Sequence, residues 1–222
     1  MRSPLRLGLG LLAASIALAW PLQPATAQTT GPVQAQSLID QLTGPETVAA
    51  TDVAALQKQA ADRIQSRADA APLRRPQIAP QLLKLPHFDF NVVFDPDTAI
   101  IRPQSYQVIG RIADALSDPK LRPYVFLVVS HTESTGNRAA NLTLSQRRAD
   151  VIREVLVNTF KINPKRLLSL GLGEEQLLDS ARPASPANQR VHLMTVGSLE
   201  HAPPVAPAAG APAKAGTQKP KR

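Results

Sequence analysis

From Phe88 to Phe94 the large side chains fall at every second position: Phe88, Phe90, Val92 and Phe94, with Asp89, Asn91 and Val93 between them. A period of two puts the four on one face of a strand. After Pro103 the period lengthens, and Tyr106, Ile109, Ile112, Ala113 and Leu116 recur at helical spacing up to Asp118-Pro119. Tyr124 to Val129 is an unbroken apolar run, the mark of a strand covered on both faces. Thr143 to Phe160 is predicted as the longest helix, with Ala149, Ile152, Val155, Leu156 and Phe160 on its apolar side. Arg166 to Leu170 reads as a third strand, closed by Gly171-Leu172-Gly173, and Val191 to Val196 as a fourth. The order strand, helix, strand, helix, strand, strand predicts an α+β sandwich: a small mixed sheet with helices on one face.

Upstream the pattern weakens. Residues 28–50 are polar and small, punctuated by Gly31-Pro32 and Gly44-Pro45, and are expected to form a loosely ordered lead-in. Thr51 or Asp52 can cap an amphipathic helix over residues 51–71, in which Val53, Leu56, Ala60 and Ile64 are 3, 4 and 4 positions apart. So narrow and Ala-rich a stripe suits a solvated spacer helix better than a packed one. Pro72, Pro76, Pro80 and Pro86 mark a stiff linker over residues 72–85, which leaves 86–198 as the folded domain. Beyond Ser198 the chain turns to Pro, Ala, Gly and Lys. Its large apolar side chains are too few to offset the entropy of ordering, so residues 199–222 are expected to be a disordered basic tail.

Charge changes the picture less than its total suggests. The chain has 222 residues and a formal charge of +8, but five of the eight charges belong to its ends: Arg2 and Arg6 within residues 1–27, and Lys214, Lys219, Lys221 and Arg222 against Glu200 at the other terminus. No basic stripe interleaved with aromatics runs through the middle, so no nucleic-acid partner is expected. The absence of cysteine excludes a disulfide framework, a thiol nucleophile, Cys-ligated zinc and a lipidated cysteine. Arg2 and Arg6 precede an uncharged apolar run, Leu7 to Trp20, then Pro21 and Ala25-Thr26-Ala27. That is the order of a secretory signal peptide. The run is shorter than the roughly 20 residues that span a bilayer, so cleavage after residue 27 is expected over retention as an inner-membrane anchor. The mature chain is expected to start near Gln28 and to work outside the cytoplasm. Between Gln28 and Pro86 there is no series of alternating strands to build a membrane barrel.

The polar cluster of interest follows the second strand: Ser130-His131-Thr132-Glu133-Ser134-Thr135-Gly136, then Asn141 to Ala149. Loops there are exposed yet held by a rigid sheet, which suits ligand contacts. Arg148 lies one turn before Ile152, bordering the apolar stripe near the start of the predicted helix, where the helix dipole favours an anion. An arginine held by packing can give a carboxylate two parallel hydrogen bonds. Glu133, one loop away, can hold an ammonium, and the pair suits a zwitterionic amino-acid head. A Ser-His-acid hydrolase could be drawn from Ser130 or Ser134, His131 and Glu133. Neighbours on one strand end point in different directions, however, whereas such triads draw on separate elements. The chain is therefore read as non-enzymatic. His87, His131, His192 and His201 lack metal-ligand spacing, and Gly171-x-Gly173 lacks the third glycine of a nucleotide loop, so no metal or cofactor is expected.

At these residues the chain resembles the OmpA-like (OmpA/MotB C-terminal) peptidoglycan-associated domain family. That family's pattern runs roughly G-H-T-D-x-x-G, N-x-x-L-S-x-x-R-A, a G-x-G-E turn and N-R-R-V. This chain has His131-Thr132-Glu133, Gly136, Asn141, Leu144-Ser145, Arg148-Ala149, Gly171-Leu172-Gly173-Glu174 and Asn188-Gln189-Arg190-Val191. The resemblance covers about Pro86 to Gly197. It implies non-covalent binding of peptidoglycan through the diaminopimelate of the stem peptide, with Glu133, Thr135, Asn141, Arg148 and Arg190 as the contacting residues. Three positions depart from the pattern: Ser130 stands for Gly, Glu133 for Asp, and Gln189 for the first Arg of N-R-R-V. The alternative is the same fold acting as an envelope scaffold without wall binding. In either case the helix over 52–71 and the C-terminal tail are candidate surfaces for an envelope protein partner.

Overall fold

The computed structural model describes residues 32–44, 51–66 and 76–199. The expected signal peptide and nearly all of the expected tail lie outside these residues. So does the end of the helix expected over 51–71.

The described chain forms α1 (Pro32–Leu42), α2 (Val53–Gln65), β1 (His87–Phe90), α3 (Tyr106–Ser117), β2 (Tyr124–His131), α4 (Arg138–Asn158), β3 (Leu167–Gly173) and β4 (Val191–Ser198). The four strands make one sheet in the order β1-β4-β2-β3. β2 and β3 are parallel, as a strand-helix-strand crossover through α4 requires, and β4 runs antiparallel to both β2 and β1. The fold is thus the mixed α+β sandwich that the order of elements predicts.

The continuous apolar run of β2 is buried on both faces, and each face has its own core. Phe126 and Val128 point to the side occupied by α3 and α4, meeting Ile109, Ile112, Leu116, Ile152 and Leu156. Val125, Leu127 and Val129 point to the other side and meet Leu170, Leu172, Met194 and Val196. Each such side chain contributes about 1.5–3 kcal/mol by leaving water.

Both cores are completed by the N-terminal segment, and here the structure departs from the sequence reading. Within the expected loose lead-in, α1 docks on the α3 side and buries Leu38, Ile39 and Leu42. Its end is tied down by Tyr124 Oη, which donates to the Gly44 carbonyl at 2.8 Å, and by Thr195 Oγ1, which donates to that of Leu42. The small and polar residues around α1 hide its signal, since among the described side chains the contact is carried by Leu38, Ile39 and Leu42. α2, capped by Asp52 through a 2.9 Å bond from Ala55 N, is not a solvated spacer. It lays Leu56 and Ala60 on the opposite face of the sheet, so helices cover both faces. A narrow stripe suffices there because the sheet beneath it is already apolar. The expected linker is not a free spacer where it is described: Ile78, Ala79 and Leu82 are buried, and Pro80–Lys84 forms a 3-10 turn.

Candidate binding site

α4 begins at Arg138, five residues before the predicted start. Asn137 caps it, its side chain accepting from Ala139 N at 2.9 Å and Ala140 N at 3.1 Å. Arg148 therefore lies in the middle of the helix. The dipole effect expected for it does not apply, since it fades beyond the first turn. What holds Arg148 is packing. It is 4% exposed, its guanidinium carbon lies 4.7 Å from the centre of the Phe94 ring, and its Nε donates to the Thr98 carbonyl at 2.9 Å. Phe94 and Thr98 belong to a tight turn closed by bonds from Asp95 N to Ile100 O and from Arg102 N to Val93 O. At its tip Asp97 adopts a left-handed backbone with φ of 53°.

Burial lowers the pKa of Arg148 below its ordinary value, while the carboxylates of Asp97 and Glu133 act to raise it. The guanidinium thus stays charged, with two acids in electrostatic reach. Among the described residues neither its terminal nitrogens nor the Glu133 carboxylate has a hydrogen-bond partner. An anchored cation and an acid are both left with bonding capacity.

Arg148 forms part of a hollow with Asn91, Ser130, His131, Gln189 and Arg190, over an apolar base of Val92, Phe94 and Val191. It has room for about 10 Å³, roughly one water. A ligand head at Arg148 therefore has to sit at the mouth. Glu133 is not among the lining residues.

Arg190 is committed to the structure on all three nitrogens. Its Nε donates to His192 Nε2 at 2.9 Å, one terminal nitrogen to the Gln176 carbonyl at 2.8 Å, and the other to that of Asn188 at 3.3 Å. Burial brings its pKa down to about 10, with Asp89 acting in the opposite sense. His192 in turn bonds Asp89 through Nδ1. His131 packs edge-on against His192 with ring centres 5.2 Å apart, and its Nδ1 is buried without a partner. Burial, then Arg190 and His192, hold its pKa well below the usual 6.5, so the ring is neutral.

Asn141 is also occupied. Its buried amide donates to the Thr135 carbonyl at 2.8 Å, to Glu174 Oε2 at 2.8 Å and, at a longer 3.4 Å, to the Glu133 carbonyl. It acts on the loop rather than on the surface. Thr135 is exposed and Glu133 half-buried on that loop. Of the five residues singled out from the sequence, Arg148, Glu133 and Thr135 thus keep free side-chain groups, whereas Asn141 and Arg190 are used inside. Sequence reasoning missed Asp97, whose signal lay in the turn-forming Asp95-Pro96-Asp97. It also missed the use of Glu174, which it met only as part of a motif. Among the described residues no group of three His, Asp or Glu could hold a metal ion.

Residues 93–190 match the OmpA family. This stretch is an OmpA family domain. Outer membrane porin F of Pseudomonas fluorescens is 36% identical over 105 residues, which is 46% of this chain and 31% of the porin. The peptidoglycan-associated lipoprotein of Mesorhizobium japonicum is 32% identical over 86 residues, 39% of this chain and 49% of that protein. The crystal structure of the peptidoglycan-associated lipoprotein from Burkholderia pseudomallei aligns at 24% identity and a TM-score of 0.38, covering 56% of this chain and 98% of that one. The chain therefore spans about a third of the porin and about half of the Mesorhizobium lipoprotein. All five candidate residues fall inside the matched OmpA stretch, whereas β1 and β4 fall outside it.

Proposed function

We propose that this protein binds peptidoglycan non-covalently in the periplasm and so anchors or scaffolds the cell envelope. The zwitterionic head of a diaminopimelate residue is the contact: Arg148 receives its carboxylate and Glu133 its ammonium, with Thr135 at the rim. The observation that carries this reading is the unspent hydrogen-bonding capacity of a fixed guanidinium and a nearby carboxylate, in an OmpA family domain. A relative named for its association with peptidoglycan supports it. The polar outer side of α2 and the C-terminal tail are the candidate surfaces for a protein partner.

Losing a charge-assisted hydrogen bond costs about 1.5–3 kcal/mol, or roughly ten- to a hundredfold in affinity. In co-sedimentation with purified sacculi the wild type should pellet, and both Arg148→Ala and Glu133→Gln should shift the protein to the supernatant. The narrow hollow and Gln189, standing where the family pattern has an arginine, favour a second reading: a scaffold that keeps the fold without gripping the wall. Wild type left in the supernatant would establish that reading and end the first.

A further inference from the structure

The loop that carries Glu133 is tied to the last residue of β3 and to the segment that follows it. Thr132 N donates to the Gly173 carbonyl and Ser134 N to that of Pro183, each at 2.9 Å. Ser134 Oγ donates to Glu174 Oε1 at 2.9 Å, and Asn141 Nδ2 bridges Glu174 Oε2 to the Thr135 carbonyl, at 2.8 Å on each side. Where the loop enters α4, Arg138 grips Glu175 through two bonds of 2.5 and 2.6 Å. Both acids are nearly inaccessible, Glu174 at 5% and Glu175 at 2% exposure. Burying a carboxylate is expensive unless donors surround it. Ser134, Arg138 and Asn141, all from the 132–141 segment, are donors to this pair, and the side chain of Glu133 takes no part in these bonds.

We infer that Glu174 is a positioning residue for the proposed binding site: its buried carboxylate presets the loop that presents Glu133 opposite Arg148. The inference rests on the wall-binding reading. One carboxylate oxygen fixes the residue after Glu133 and the other, through Asn141, fixes the carbonyl two residues on. The backbone of Glu133 is therefore held before any ligand arrives, and binding need not supply the entropy of ordering it. Glu174 itself follows Gly173, whose φ of 51° and tight approach to Leu142 of α4 aim the chain back toward the loop.

The test is a diaminopimelate titration of the full chain, read on backbone amides by NMR. Glu174→Ala should weaken binding about tenfold, and the milder Ser134→Ala, which removes one tether, about threefold. Glu174→Gln should recover most of the affinity. Its oxygen can still accept from Asn141, and the Ser134 hydroxyl can turn to accept from its amide. In a Glu133→Gln background, Glu174→Ala should add a clearly smaller loss, about threefold or less, because its main effect passes through that side chain and only the placing of Thr135 remains. A Glu174→Ala protein that binds like wild type, or a loss equally large with Glu133→Gln present, overturns the inference. If the wild type does not bind diaminopimelate, the wall-binding reading fails separately. Positioning is then decided by amide exchange without ligand. Ser134 N should exchange at least tenfold faster in Glu174→Ala while Val128 in β2 is unchanged, and an unchanged Ser134 refutes it.

Discussion

Gly171 of β3 and Gln146 of α4 are in backbone contact. The Gln146 side-chain oxygen accepts from Gly171 N at 2.7 Å, and a Cβ on Gly171 would lie 2.1 Å from Gln146 N. Since the obstacle is helix backbone, Gly171→Ala can be accommodated only by moving α4. Forced overpacking of this kind costs typically 1–3 kcal/mol, and the upper end is expected here. Urea denaturation should show the lower midpoint, and Arg148, carried by the same helix, should lose its place at the hollow.

Arg166 is a structural arginine and should behave unlike Arg148. Its three nitrogens donate to the carbonyls of Tyr124 at 3.2 Å, Leu116 at 2.9 Å and Leu121 at 2.7 Å, and its guanidinium lies over Phe126. Arg166→Met leaves buried carbonyls without donors, each worth about 1–3 kcal/mol. The expected result is a large drop in unfolding free energy. Arg148→Ala, with one carbonyl bond to lose, should cost less stability while abolishing co-sedimentation with sacculi.

Leu42 is fully buried at the end of α1. Leu42→Ala should destabilise the domain by about 2–5 kcal/mol, the range for truncating a buried leucine. A chain beginning at residue 84 loses Leu38, Ile39 and Leu42 from one core and Leu56 and Ala60 from the other. Thermal melting should find it far less stable than the full chain.

His131 and His192 both titrate below their ordinary pKa, mainly because burial disfavours the charged ring. Below about pH 6.5 the unfolded chain therefore binds protons that the folded chain refuses. Stability is complete above that pH and should fall as pH drops from 6.5 toward the folded-state values. His131→Gln should flatten the slope of unfolding free energy between pH 6.5 and 5. An unchanged slope would mean that His131 is not held neutral by the fold.

Much of the sheet was legible because strands and helices with large residues on one face announce themselves. The run Tyr124 to Val129 and the spacing of Ile109, Ile112 and Leu116 needed no tertiary information. What escaped depends on such information. α1 docks through Leu38, Ile39 and Leu42 set among small and polar residues, and the docking of α2 through Leu56 and Ala60 depends on an apolar surface that other segments build. The start of α4 was misjudged by five residues because Asn137 was not recognised as its cap. At the site, Arg148 and Glu133 could be picked out by chemistry and spacing. That Asn141 and Arg190 point their polar groups inward could not, because it depends on distant acceptors such as Glu174, 33 residues from Asn141, and Gln176, 14 residues from Arg190.

The family match begins at residue 93 and stops at 190, one residue before β4 starts. Excised at those limits, the fragment would retain β2 and β3 but forfeit both remaining strands, and with them the antiparallel half of the sheet. What is inherited as a recognisable pattern is therefore smaller than what folds. Anyone transplanting this module should keep at least residues 32 to 199, the span that holds α1, both outer strands and the two cores together.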